Sequence, residues 1–177
     1  MHARLICRRT CRLAGLLLLL AWPASGCRTA GHREGVALSL TVPLLSFLHA
    51  RPGESGTKNA MVDFPTLEVF DRAGQLVYLS HDAGKNIELV KSLPGALDRL
   101  TELPNRPTLL QIVGDLPGMT EEDKDTLLHS RQPTLIAFSL EDCHACSVQE
   151  EALGPETVKN LTAYGLNSLI IRVSRPR

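Results

Sequence analysis

The stretch PTLIAFSLEDCHACSVQEEALGPETVKNLTAYGLNSLIIRVS, Pro133 to Ser174, decides how this chain folds. Thr134 to Leu140 is an apolar run opened by Pro133, the pattern of a buried strand. Cys143 lies three residues beyond its end, and two residues separate it from Cys146. The pattern predicts a helix from Cys143 to Leu153, a break at Gly154 and Pro155, a second helix to about Tyr164, and a strand from Ser168 to Val173. Strands alternating with helices indicate an α/β layer fold.

A CxxC placed where a buried strand hands over to a helix puts its first sulfur at the helix N-terminus, where free amides and the macrodipole stabilise a thiolate. Cys143 is then the exposed attacking thiolate. Cys146, one turn further in, resolves the mixed disulfide. His144, as an imidazolium, lowers the thiol pKa, whereas the carboxylates of Glu141 and Asp142 raise it, and the sign of the sum stays open. A purely structural staple is a poor use of the pair, because a two-residue loop gains little loop-closure entropy. Haem attachment needs His directly after the second cysteine, and Ser147 stands there. A closed zinc site needs two more ligands, for which only His81, His129 and His144 are near in sequence. Copper held by both thiolates and one His is a third reading. No metal or cofactor is assigned.

The N-terminus explains why this pair stands alone. MHARLICRRTCR is basic, LAGLLLLLAW is apolar, and that order is the order of an export signal. The apolar run is about half of the roughly 20 residues needed to span a bilayer, so cleavage is expected. Ala24, Ser25, Gly26 and Cys27 resemble the bacterial lipobox, whose cysteine is acylated and becomes the mature N-terminus. Residues 1–26 are therefore read as a lipoprotein signal peptide and Cys27 as the lipidation site, anchored in a bilayer by its acyl chains. An ordinary signal peptide with an incidental Cys27 is the alternative. Arg28, not Asp, follows Cys27, which favours the outer over the inner membrane. The five cysteines of the precursor then reduce to Cys143 and Cys146.

The remaining chain of about 150 residues makes one domain. The 19 basic and 19 acidic residues balance, and much of the basic excess leaves with the signal, which argues against a nucleic-acid partner. Residues 27–60 are read as a lipidated tether with an apolar segment, Val36 to Ala50, in which a strand runs into a helix and Pro43 suits a first helical turn. Residues 61–177 form the main domain. TLEVF (Thr66 to Phe70) and QLVYL (Gln75 to Leu79) flank a tight turn and form a β-hairpin. Apolar residues from Ile87 to Leu100 follow at helical spacing, interrupted at Pro94 and Gly95. Thr108 to Val113 reads as a second buried strand. Thr120 before Glu121, Glu122 and Asp123 caps a helix that reaches about Ser130.

The order of apolar strand, CxxC, Glu150, helix break, Val158-led helix and second strand resembles the core of the thioredoxin superfamily, in particular its periplasmic thiol-disulfide oxidoreductase domains. The matching stretch covers about a quarter of the precursor. Asp142 departs from the aromatic that usually precedes the first cysteine. That family continues after the last strand to a helix, a cis-proline facing the CxxC, a hairpin and a closing helix, for which Arg175 to Arg177 leave no room. Phe64, Pro65 and the following hairpin resemble the proline-led part instead. The resemblance thus implies a three-layer fold with a central mixed sheet, circularly permuted, with Thr108 to Val113 and Thr120 to Ser130 as the family's first strand and helix. Pro65 and Phe64 then shape the substrate groove. The competing arrangement takes Asp63 to Ser80 as an N-terminal hairpin before a truncated core; permutation leaves no sheet edge without its usual neighbours. The function implied is exchange of disulfides with protein thiols in the bacterial periplasm. A non-catalytic protein-binding module and copper handling are the alternatives.

Overall fold

The computed structural model describes residues 34–50 and 63–176. Cys27, the signal and most of the tether lie outside the described residues. One five-stranded sheet organises the rest. Its strands are β1 (Ala37–Pro43), β2 (Thr66–Phe70), β3 (Leu76–Ser80), β4 (Thr134–Leu140) and β5 (Asn167–Ser174), and its helices are α1 (Leu44–Ala50), α2 (Ala83–Ser92), α3 (Leu109–Val113), α4 (Glu121–His129), α5 (His144–Ala152) and α6 (Pro155–Ala163).

The strands lie in the order β1-β5-β4-β2-β3. β1, β5 and β4 are parallel, while β2 runs antiparallel to both β4 and β3. The sheet is therefore mixed, and the chain is α/β.

β4 is buried along six of its seven residues because both faces of the sheet carry a core. Ile136 and Phe138 join Phe70, Leu169 and Ile171 on one face, under Phe47 of α1, Ile112 of α3 and Leu127 of α4. Leu135 and Ala137 join Leu67 and Val69 on the other, under Leu89 of α2 and Leu161 of α6. Each fully buried Val, Leu, Ile or Phe side chain among them contributes about 1.5–3 kcal/mol of transfer free energy.

The hairpin forms where its residues predict it. Asp71 Oδ1 accepts hydrogen bonds from the amides of Ala73 (2.8 Å) and Gln75 (2.9 Å), and Gly74 supplies the positive φ of 77° that the turn requires. β2 lies against β4, with Thr66 paired to Phe138 and Phe70 to Thr134. α4 begins as expected, Thr120 accepting from the Asp123 amide. α2 ends at Ser92, two residues before Pro94, because Leu93, the residue preceding the proline, is pushed out of the helical region.

Two expectations are corrected. Thr108 to Val113 is not a strand: Leu109–Val113 is a short helix opened by a capping box in which Thr108 and Gln111 satisfy each other's amides. Leu109, Ile112 and Val113 are the buried residues, at helical spacing, so a short apolar run was compatible with either structure. Pro43 closes β1 and does not open the helix after it, since it still pairs with Ser174.

The edge beside β5 is taken by β1, from the apolar segment far upstream. Its approach is close: a Cβ on Gly35 would stand 1.8 Å from the carbonyl oxygen of Leu166, so only glycine fits. Val36 N–H donates to Asn167 Oδ1 (3.1 Å), and Ser168 N–H donates to the Val36 carbonyl (2.8 Å).

Candidate redox site

The site is built at the carboxyl end of β4. Glu141 N–H prolongs the sheet by donating to the Val173 carbonyl (2.9 Å). Asp142 then takes a positive φ of 62°, a left-handed turn that Asp tolerates better than bulky side chains do. This turn brings Cys143 to the N-cap of α5, in extended conformation, with its sulfur accepting from the Cys146 amide at 3.2 Å. The amides that would face a thiolate there are the first amides of α5.

Cys143 and Cys146 are joined by a disulfide, with Cα atoms 5.1 Å apart. The two sulfurs differ in access. Cys143 is half-buried, whereas Cys146 is 1% exposed and accepts from the Leu140 amide at 3.4 Å. The side open to attack is therefore that of Cys143. A shallow depression over it is lined by Leu140 through His144, with Ser147 and Glu150.

Around the pair, Glu141, Asp142 and His144 are exposed. Glu141 also accepts from the Arg175 amide (3.2 Å). Glu150 is tied down: one carboxylate oxygen accepts from the Ser139 hydroxyl, and the other from Arg172 Nε at 2.8 Å.

Pro65 and Phe64 reach the same end of the sheet from β2. Continuing the pairing of Thr66 with Phe138 by one residue brings Pro65 level with Ser139, one residue short of the end of β4. Pro65 is buried and its bond to Phe64 is cis. Phe64 turns toward α1, its ring 6.0 Å from that of Phe47, which in turn lies 5.5 Å from Phe138. Neither Phe64 nor Pro65 lines the depression over Cys143.

A buried polar network joins these parts, and sequence reasoning missed it. Gln149, three residues after Cys146, donates through Nε2 to the Thr66 carbonyl (3.3 Å), next to Pro65. Its Oε1 accepts from Asn86 Nδ2 of α2 at 2.6 Å. Asn86 Oδ1 accepts from the Tyr78 hydroxyl (3.2 Å), and Thr66 Oγ1 lies 2.9 Å from His81 Nδ1. The one sequence signal was the spacing of Gln149, which puts it on the same face of α5 as Cys146.

Among the described residues no group of three or more His, Cys, Asp or Glu is placed to hold a metal ion, and no helix is long and apolar enough to cross a membrane. No known protein family matches this chain, and no curated protein or solved structure gives a significant match.

Proposed function

We propose that this protein is a lipid-anchored thiol-disulfide oxidoreductase of the bacterial periplasm, built on a permuted thioredoxin-like domain. The observation that carries the reading is the disulfide across the first turn of α5, with Cys143 accessible and Cys146 sealed. An asymmetric pair is what exchange needs, because one sulfur must meet the partner and the other must wait.

The sheet order supports the fold assignment. In this reading β4 and β5 flank the CxxC helix as in the thioredoxin core, the proline-led hairpin β2 and β3 joins β4 antiparallel, and α4 is the family's first helix. The edge strand is residues 37–43, in place of 108–113. Helices on both faces give the three layers. The anchor rests on the residues before Cys27 alone.

The exchange balances as follows. A substrate thiolate attacks Cys143 Sγ, the bond to Cys146 breaks, and Cys146 leaves as a thiolate. The second substrate thiolate attacks the substrate sulfur of that mixed disulfide and releases Cys143. Two electrons pass to the protein, and the two substrate thiol protons pass to solvent or to the released thiolates. Read in reverse, the reduced protein opens a substrate disulfide by the same bonds.

Cys146→Ser should trap substrates on Cys143 as mixed disulfides in cells, and an absence of trapped partners would favour the binding module. The redox potential against glutathione adds a second readout: about −120 to −270 mV suits a carrier, and below about −300 mV suits a structural disulfide. Stoichiometric Cu(I) uptake by the reduced protein, lost when both cysteines are Ser, would favour copper handling.

A further inference from the structure

A cavity lies at the end of the sheet opposite the cysteines. Phe70 pairs with Thr134, the first residue of β4, whereas Cys143 follows the last, and the cavity opens between the hairpin turn after Phe70, the start of α3 and the end of α4. Its volume of about 390 Å³ falls within the range of about 300–1,000 Å³ of small-molecule sites.

The apolar part of the lining is aliphatic. It consists chiefly of Leu109, Leu110, Leu127 and Leu128, with no Phe, Tyr or Trp. Leu109 and Leu127 are 4% and 1% exposed and belong to the core, while Leu110 beside them is 62% exposed. α3 buries Leu109, Ile112 and Val113, so Leu110 falls outside its core stripe and is left to the cavity.

The charged part of the lining is mostly cationic. Arg72 and Arg131 are exposed, and among the described residues neither is in an ion pair. His129 is held by Asp125 at 2.8 Å. The one carboxylate in the lining is that of Asp71, whose Oδ1 already accepts from the amides of Ala73 and Gln75. Arg72 also borders a neighbouring cavity with Asp98 and Glu102 and pairs with neither, and Arg131 does not line that cavity.

The backbone amides beside the cavity are largely spent inside the protein. Ala73 N–H donates to Asp71 Oδ1 (2.8 Å), Gly74 N–H to the Asp71 carbonyl (3.0 Å), Thr108 N–H to Gln111 Oε1 (2.8 Å) and Leu109 N–H to the Gly74 carbonyl (2.9 Å). A peptide laid here would leave its own amides and carbonyls short of partners, which is costly once water is excluded. A ligand with one anionic end and an apolar body has no such groups to satisfy.

We infer that this cavity binds a medium-chain fatty carboxylate, its head at Arg72 and Arg131 and its chain along the four leucines. Guanidinium groups match a carboxylate with paired N–H donors, and the chain covers the exposed Leu110. At about 30 Å³ for each water-sized group the volume holds roughly a dozen groups, which suits a chain of about ten carbons. The site goes beyond the thiol chemistry and does not rest on it.

The test uses the whole protein with Cys27→Ser, which carries no acyl chain to compete for the cavity, and sodium decanoate below its micelle-forming concentration. Amide NMR shifts should move in a saturable way at Gly74, Leu109, Leu110 and Leu128 to Gln132, and stay fixed from Cys143 to Ser147. Replacing both arginines, Arg72→Gln with Arg131→Gln, should weaken binding at least about tenfold, and decanol, the same chain without the charge, should bind native protein at least about tenfold more weakly than decanoate. Both arginines are exposed, so the urea midpoint of the double variant should be unchanged, which separates lost binding from lost folding. No saturable shift at these amides, equal affinity of the double variant, or equal affinity of decanol overturns the inference. A peptide ending in a free Leu carboxylate, or inorganic phosphate, that binds as tightly as decanoate also overturns it, by assigning the cavity to polypeptide ends or to anions in general.

Discussion

Gln149 Oε1 accepts a hydrogen bond from Asn86 Nδ2 at 2.6 Å, between two side chains 1% and 0% exposed. This contact ties the helix that carries Cys146 to the helix that follows the hairpin, while the Gln149 amide holds the Thr66 carbonyl beside Pro65. Removing either side chain strands a buried polar group, at a cost of about 1–3 kcal/mol. Gln149→Ala and Asn86→Ala should each destabilise by that amount, and the double variant by clearly less than the sum. Urea unfolding of the four proteins measures the coupling; strict additivity would mean that the two amides do not depend on each other.

Access should separate the two thiols once the disulfide is reduced. Cys143 caps α5 half-buried, and Cys146 is enclosed. Iodoacetamide should modify Cys143 at least about tenfold faster than Cys146, as followed by peptide mass spectrometry. Equal rates would contradict the assignment of attacking and resolving roles.

Glu150 should matter more than the arginine that pairs with it. The side chains of Arg172 and Glu150 are 49% and 28% exposed, so their ion pair is worth about 0–1 kcal/mol. Glu150 also accepts from the hydroxyl of Ser139, which is 2% exposed. Glu150→Ala should therefore cost about 1–3 kcal/mol, against less than about 1 kcal/mol for Arg172→Ala. Thermal unfolding that ranks Arg172→Ala as the more damaging would refute this ordering.

At Gly35 even one methyl group meets main chain, because the Leu166 carbonyl oxygen is 1.8 Å from the position of its Cβ. Gly35→Ala should push β1 from the sheet edge and cost about 1–3 kcal/mol. Amide hydrogen exchange should accelerate in β1 and along its partner β5, with β2 and β3 unchanged. Unaltered protection in β1 would show that the edge strand does not depend on this approach.

The sequence alone determined the features whose causes lie within a few residues. The CxxC follows an apolar strand and opens a helix, the Asp71 to Gly74 turn joins two strands, and Thr120 caps an acidic first turn, each through chemistry that neighbours supply. A short apolar run at Leu109 to Val113 was not decidable that way, since its helix depends on one reciprocal cap and on a core that covers it. Only the tertiary structure decided that residues 37–43 close the sheet beside β5, and that Asn86 and Gln149 meet across 63 positions of chain. Pairing of distant strands and satisfaction of buried amides are set by which surfaces exclude water together. That property belongs to the packed molecule and leaves little trace in local periodicity.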